Sequence, residues 1–131
     1  MAGYSGTPLL DKLGIEPGHT IILIDAPDGV IPDLPTGVTV RSRVTGHLDV
    51  ALCFTLARAT LERRIDALGR AVFPDGAIWV AWPKRASKVP TDMTEDVVRA
   101  VALPRGLVDV KVAAIDDTWS GLKLMWRRDR R

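Results

Sequence analysis

The hydrophobic positions of this chain fall into two patterns, unbroken runs and helical spacings. Unbroken apolar runs fill most of residues 20–24 and 49–55 and all of residues 77–82. Strands that are hydrophobic on both faces are typical of the centre of a parallel sheet, where helices cover both sides. In residues 58–72 the apolar side chains instead recur every three or four positions, which is the period of a helix with one buried face. Together these segments predict a sheet covered by helices.

Shorter segments complete the predicted order of elements. Residues 7–14 indicate a helix, with Thr7 as its N-cap, a proline in the first turn and a glycine after the last turn. Residues 91–102 open a second short helix, for which either Asp92 in a capping box or Thr94 is a suitable N-cap. Three further strands are predicted at residues 38–44, 108–115 and 122–127.

Strands that alternate with helices indicate a three-layer, Rossmann-like open α/β sheet. Residues 116–121 are short enough to join the last two strands as an antiparallel hairpin, so the sheet is predicted to be mixed. Residues 38–44 alternate apolar and polar side chains, which predicts a half-exposed strand toward an edge. The direction of that strand stays open, because only residues 45–48 precede the next one and a parallel crossover normally needs a dozen residues or more.

Composition places the chain among ordinary globular proteins with one core. Its 131 residues are 47% hydrophobic and 26% charged, which predicts a single domain over residues 1–131. Cys53 is the only cysteine, so an intrachain disulfide and a cysteine-based zinc site are excluded, and its apolar neighbours predict a buried thiol. No stretch approaches the ~20 apolar residues that cross a bilayer, and the first residues lack a signal-peptide core, so we expect a cytoplasmic protein.

The net charge is only +2, and much of the positive excess lies in a basic tail at residues 127–131. Without that tail the chain is about neutral, so charge alone does not imply nucleic-acid or membrane binding. We expect the tail to be a frayed, solubilising terminus. The alternative is contact with phosphate backbones, which arginine clusters bind with salt-sensitive, unspecific affinity.

Candidate chemistry gathers where the predicted strands end, since ligands of open α/β sheets bind beyond the carboxyl ends of the strands. The side chains predicted at this edge are Asp25, Asp28, Thr55, Arg58, Trp82, Lys84, Arg85, Ser87, Lys88, Asp116, Asp117 and Trp119. Three of the cations lie within residues 84–88, ahead of a predicted helix, and suit an anionic ligand. The alternative is a solvated basic loop whose lysines pair with Asp116 or Asp117.

Aromatic and acidic residues at the same edge allow two interpretations each. Asp116 and Asp117 either form the hairpin turn or serve as a metal or acid–base pair. Trp119 and Trp82 either complete the packing or contact a ligand or partner, a role in which tryptophan is favoured. Two other tryptophans are predicted to be in the core or against a sheet face, and two histidines at strand starts, away from the edge: Trp79, Trp126, His19 and His47.

The order and spacing of elements over residues 49–126 resemble the second half of class I methyltransferases. In that family the first strand runs into a glycine-rich turn that holds S-adenosylmethionine. Here the first strand runs into Asp-Ala-Pro-Asp-Gly at residues 25–29, which has no G-x-G. The glycine fingerprint of dinucleotide enzymes is missing too. We therefore expect no cofactor of either kind.

Several short segments resemble a family of short bacterial proteins that is known only as a domain of unknown function. The segments are residues 3–9, 13–15, 79–84, 94–99 and 117–122. This resemblance would extend over nearly the whole chain. It implies no activity, substrate or site residue.

The leading hypothesis is therefore a non-catalytic regulatory domain that binds a small anion or a protein partner. We predict its ligand-binding residues to be Asp25, Trp82, Lys84, Lys88, Asp117 and Trp119. The alternative is an enzyme of unrecognised type on a degenerate methyltransferase-like fold, with Asp25 or Asp116 as base and Lys84 as electrophilic partner. Nucleic-acid binding through the basic tail is a third, less favoured hypothesis.

Overall fold

The computed structural model describes residues 8–131. Three helices are α1 (Leu9–Leu13), α2 (Arg58–Val72) and α3 (Glu95–Ala102). The six strands are β1 (Thr20–Ile24), β2 (Thr39–Arg41), β3 (Val50–Phe54), β4 (Ala77–Pro83), β5 (Leu107–Ala114) and β6 (Trp119–Trp126). Single 3₁₀ turns lie at Arg85–Ser87, Leu103–Arg105 and Arg128–Arg130. The predicted cap Thr7 lies outside the described residues.

The six strands form one mixed sheet in the order β2-β1-β3-β4-β6-β5. The first four strands are parallel to one another, whereas β6 is antiparallel to both β4 and β5. The Rossmann-like open sheet with a terminal hairpin is therefore confirmed. The direction of β2, which the sequence left open, is parallel to β1.

A short crossover suffices between β2 and β3 because β2 has only three residues and lies on the far side of β1. Arg41, the last residue of β2, is opposite Ile22 of β1, and Val50, the first of β3, is opposite Ile21. Along the strand direction, the end of β2 and the start of β3 are therefore only about one residue apart. The connection between them has only to pass β1, a distance of roughly 10 Å from β2 to β3. An edge position for this strand was predicted, and the order of strands confirms it.

Two buried layers lie on opposite faces of the sheet. One face packs against α2 and α3 through residues such as Ile65, Leu68 and Val98. The other packs against α1 and the proline-containing segment after β1, with Trp79 at its centre. None of the helices within residues 8–131 is long and apolar enough to cross a membrane.

The two candidate caps of the third helix have different roles. Thr94 is the N-cap of α3, and its hydroxyl accepts a hydrogen bond from the Val97 amide at 3.1 Å. Asp92 instead accepts from the Arg58 amide at 2.8 Å, in the first turn of α2. The Asp92 carboxylate thus satisfies one of the free N–H groups at the start of a different helix.

The basic tail folds back onto the domain, so the expectation of a frayed terminus is wrong. Arg128–Arg130 form a 3₁₀ turn, and the Arg127 amide donates to the Gly106 carbonyl at 3.0 Å. The Arg131 guanidinium donates to the Trp126 carbonyl at 3.0 Å. These bonds tie the tail to the start of β5 and the end of β6.

We expect the contribution of Asp109 to stability to depend on pH. The pKa of Asp109 is lowered, chiefly because the Arg99 side chain donates a 2.8 Å hydrogen bond to its carboxylate. A carboxylate with a lowered pKa stabilises the fold above its unfolded pKa, and this stabilisation is lost as the pH falls through the folded value. The Asp109→Asn variant should therefore be less stable than wild type at pH 7, with a difference that shrinks below about pH 3.9.

Urea unfolding at pH 7 and at pH 3 measures this effect. The control is Asp129→Asn, which removes an exposed ion pair with Arg127 and should change little at either pH. An Asp109→Asn penalty of equal size at both pH values would contradict the assignment.

Candidate functional site

Two adjoining clefts lie at the carboxyl ends of the parallel strands. The first, of about 450 Å³, is the apolar cleft, and it is lined by Asp25, Phe54, Thr55, Leu56, Thr60, Val89 and Trp119. The second, also about 450 Å³, is the basic cleft, and it is lined by Trp82, Pro83, Lys84, Arg85, Lys88, Val89, Thr91, Met93, Thr94, Glu95 and Ser120. Val89 belongs to both, so the two clefts adjoin at this residue.

Hydrogen bonds fix the backbone of the basic loop, residues 84–88, which follows β4. The Lys84 amide donates to the Thr118 carbonyl at 2.8 Å, which ties the loop to the hairpin turn. The Ser87 hydroxyl donates to the Lys84 carbonyl at 2.7 Å and accepts from the Val89 amide at 3.3 Å. Lys88 has a φ of 61°, in the left-handed region that non-glycine residues seldom adopt. The loop is thus held in one defined path.

The cations of this loop have no carboxylate partner among residues 8–131. No acidic oxygen lies within 4.0 Å of the charged groups of Lys84, Arg85 or Lys88. Asp116, one of the two partners considered for them, instead accepts from the amides of Thr118 and Trp119 at 2.8 Å each. The pairing of these lysines with Asp116 or Asp117 is therefore absent from the described residues.

A second loop, residues 89–93, lies between the two clefts. The Thr91 hydroxyl donates to the Leu56 carbonyl and accepts from the Met93 amide at 3.0 Å. Met93 is buried. With the Asp92 bond to α2, these contacts anchor residues 91–93 to residues 56–58, between β3 and α2.

Aromatic and aliphatic side chains form the apolar cleft. Trp119 is half-buried and meets Phe54 edge to face, with ring centroids 5.0 Å apart and planes at 81°. Leu56 and Val89 are 48% and 37% exposed, high values for large aliphatic side chains. An exposed apolar surface of this kind, inside a concave site, favours a ligand with an apolar part.

An ion pair lies directly after the last residue of β1. Asp25 has a φ of 56°, and its carboxylate lies 3.2 Å from the Arg64 guanidinium of α2. Beneath this pair, burial raises the pKa of the Cys53 thiol to about 11, with Arg64 lowering it and Asp25 raising it to a smaller extent. Cys53 is thus the buried thiol that its apolar neighbours predicted.

Five of the six predicted ligand-binding residues line the two clefts. Asp25 and Trp119 lie in the apolar cleft, and Trp82, Lys84 and Lys88 in the basic cleft, although Trp82 is buried and serves mainly as its floor. Asp117 lines neither. Trp119 belongs to β6, which begins three residues earlier than predicted, because residues 119–121 pair with β4 up to Pro83.

Other predicted edge residues have structural roles. Asp116 forms the hairpin turn, one of the two interpretations that the sequence left open. The Thr55 hydroxyl bonds to the backbone of Ala57, and the Arg58 side chain pairs with Glu62. Residues 8–131 hold no group of three or more metal-ligating side chains. The sequence did not reveal Phe54, Leu56 and Val89, because apolar residues at strand ends give no signal that separates a cleft from a core.

Comparison with solved structures identifies the scaffold. The ribosomal protein L11 methylase of Lactobacillus delbrueckii subsp. bulgaricus superposes with a TM-score of 0.60 at 10% identity, over 92% of this chain and 76% of that chain. The fibrillarin pre-rRNA processing protein of Methanococcus jannaschii gives 0.57 at 12% identity, over 95% and 70%. The SAH-bound magnesium protoporphyrin IX methyltransferase of Synechocystis gives 0.53 at 11% identity, over 70% and 52%. The fold is methyltransferase-like.

The likeness is one of fold alone, and it covers only part of several of the methyltransferase chains. This chain spans about half the length of several of the methyltransferases that it matches, with 52%, 59% and 47% of their residues covered. No family model matches the chain, and no curated protein matches it. The resemblance to a bacterial family of unknown function is thus not confirmed.

The residues at the β1 exit do not fit S-adenosylmethionine in the place where the fold would hold it. A glycine-rich turn offers backbone N–H groups and no side chains, whereas Asp25 and Asp28 bring two carboxylates and Pro27 has no N–H. The methionine end of the cofactor carries a carboxylate as well as an ammonium group, and a turn that contains Pro27 offers that carboxylate fewer backbone N–H groups than a glycine-rich turn does. We therefore derive no methyl-transfer step for this chain.

Proposed function

We propose that this chain is a regulatory or binding domain that holds a small anion in the basic cleft. The observation that carries the proposal is the set of three cations, Lys84, Arg85 and Lys88, that lack an acidic partner within residues 8–131 and are presented on a hydrogen-bonded loop. Hydrogen bonds to charged groups contribute about 1.5–3 kcal/mol each. A fixed backbone reduces the ordering that binding would otherwise require.

The proposal predicts that wild-type protein is stabilised by inorganic phosphate or pyrophosphate, since a ligand that binds only the native state raises the melting temperature. The double variant Lys84→Ala, Lys88→Ala should bind these anions at least about tenfold more weakly, because a single charge-assisted bond exceeds the 1.4 kcal/mol that corresponds to that factor. Thermal shift and isothermal titration measure the two effects.

The matched control is Lys12→Ala, Lys111→Ala, which removes the same charge from α1 and β5, outside both clefts. It should retain wild-type affinity. Equal affinity of the Lys84/Lys88 variant and wild type for both anions would reject the proposal, and so would equal losses in the two double variants.

A second candidate function is an enzyme on this scaffold, and the fold comparison favours it because methyltransferases are among the structural neighbours. In this hypothesis Asp25, in the apolar cleft, is the base, and Lys84, in the adjoining basic cleft, is the electrophilic partner. Asp116 does not suit the role of base, since its carboxylate already accepts two backbone amides. Including S-adenosylmethionine and S-adenosylhomocysteine in the thermal-shift panel tests the closest version of this hypothesis. A shift by either compound that Asp25→Asn abolishes would favour it over simple anion binding.

A further inference from the structure

The apolar cleft is not needed to hold a small inorganic anion, yet it adjoins the basic cleft. Val89 lines both, and Trp119 of β6 lies directly opposite Pro83, the residue before Lys84. A ligand centred on the basic loop therefore has an apolar depression of about 450 Å³ beside it.

The lining of that depression suits a flat ring. Phe54 supports one side of the Trp119 indole edge to face, and this contact limits how the indole can turn. Leu56 and Val89 expose aliphatic surface nearby. Burying such surface against a ring is favourable at about 25 cal/mol per Å², and an indole also stacks on aromatic rings.

A polar acceptor lies at the same cleft. The Asp25 carboxylate is 63% exposed, and Arg64 is its ion-pair partner. A carboxylate accepts several hydrogen bonds, so one pairing leaves capacity for an N–H or O–H on a ring. Its negative charge also disfavours a second anionic group there, which directs the anionic end of a ligand toward Lys84 and Lys88.

We infer that the ligand is an aromatic phosphate, with its ring and a hydrogen-bond donor in the apolar cleft and its phosphate in the basic cleft. This inference rests on the proposed anion site. It adds an aromatic ring to the ligand, and it assigns to Trp119 and Asp25 the selection of aromatic phosphates over simple phosphates.

Isothermal titration with phenyl phosphate and the four nucleoside monophosphates tests the inference, with inorganic phosphate and ribose 5-phosphate as references that have no aromatic ring. We expect at least one aromatic phosphate to bind about tenfold or more tightly than both references. Trp119→Ala should abolish that advantage while inorganic phosphate binds as in wild type. Val89→Ser should reduce it, whereas Val112→Ser, at an exposed valine of β5 outside both clefts, should not.

The outcomes separate the two proposals. If inorganic phosphate binds through Lys84 and Lys88 but no aromatic phosphate exceeds it tenfold, the anion site stands and the aromatic inference is overturned. An aromatic advantage that survives both Trp119→Ala and Val89→Ser also overturns it. If none of these phosphates binds, both proposals fail. Val89→Ser keeps the test usable if Trp119→Ala does not fold, since Val89 is an exposed loop residue.

Discussion

Replacing Trp79 by alanine should destabilise the protein by about 3–5 kcal/mol, the usual cost of removing a large aromatic side chain from a core. Trp79 is fully buried at the centre of the face covered by α1. Its indole N–H donates to the Leu13 carbonyl at 3.0 Å and so ties β4 to the end of α1. Native domains are stable by only about 5–15 kcal/mol, so this one change would remove a large part of the total.

Urea unfolding measures the effect as a lower midpoint with an unchanged slope. Trp79→Phe should cost less, since it keeps most of the apolar volume and loses mainly the indole bond. Trp119→Ala is the matched comparison, because Trp119 is only half-buried. A Trp79→Ala penalty no larger than that of Trp119→Ala would contradict the central place given to Trp79.

Gly76→Ala should destabilise the protein by about 1–3 kcal/mol or more, since it forces an added methyl group into a filled space. A Cβ at this position would lie 2.5 Å from the Leu48 carbonyl oxygen, 2.9 Å from that of Val72 and 3.0 Å from that of Asp49. All three are backbone atoms, so no side chain can turn away to make room. The strand β4 would have to shift relative to β3 and α2.

The control for this effect is Gly69→Ala, in α2. There an added Cβ would lie 3.2 Å from the Trp126 ring, which is a side chain and can move slightly. Alanine is also favoured over glycine in a helix by about 1 kcal/mol. We expect Gly69→Ala to be within about 1 kcal/mol of wild type by the same urea measurement, and a loss as large as that of Gly76→Ala would refute the distinction between backbone and side-chain crowding.

The long or unbroken hydrophobic patterns predicted their elements closely. The spacing of Leu61, Ile65 and Leu68 predicted α2 with both ends correct, and the apolar runs predicted β1, β3 and β4 within one residue. These patterns are decisive because burial on one face of a helix, or on both faces of a strand, leaves few alternative arrangements for so many apolar side chains. Lys84, Lys88, Asp25 and Trp119 could also be placed at one sheet edge, since parallel strands share their carboxyl ends.

The direction of β2 and the start of β6 could not be read from local pattern. Both depend on which strand lies beside them. Residues 119–121 would suit a turn by composition, yet they pair with β4 as far as Pro83. The role of Asp92 also depends on tertiary contacts. Asp92 is near α3 in sequence, but its carboxylate accepts a hydrogen bond from a backbone amide in the first turn of α2.

The sequence by itself determined the class of fold, the main elements and the absence of a glycine-rich first turn, because each depends on the order and period of residue types along the chain. Only the tertiary structure decided that Lys84, Arg85 and Lys88 lack acidic partners within residues 8–131, and that Phe54, Leu56 and Val89 surround Trp119. Partners and clefts arise from residues far apart in the chain, and the distances between them are fixed only when the sheet assembles. The sequence predicted that candidate side chains gather at the carboxyl edge of the sheet. It did not predict that this edge contains separate basic and apolar clefts.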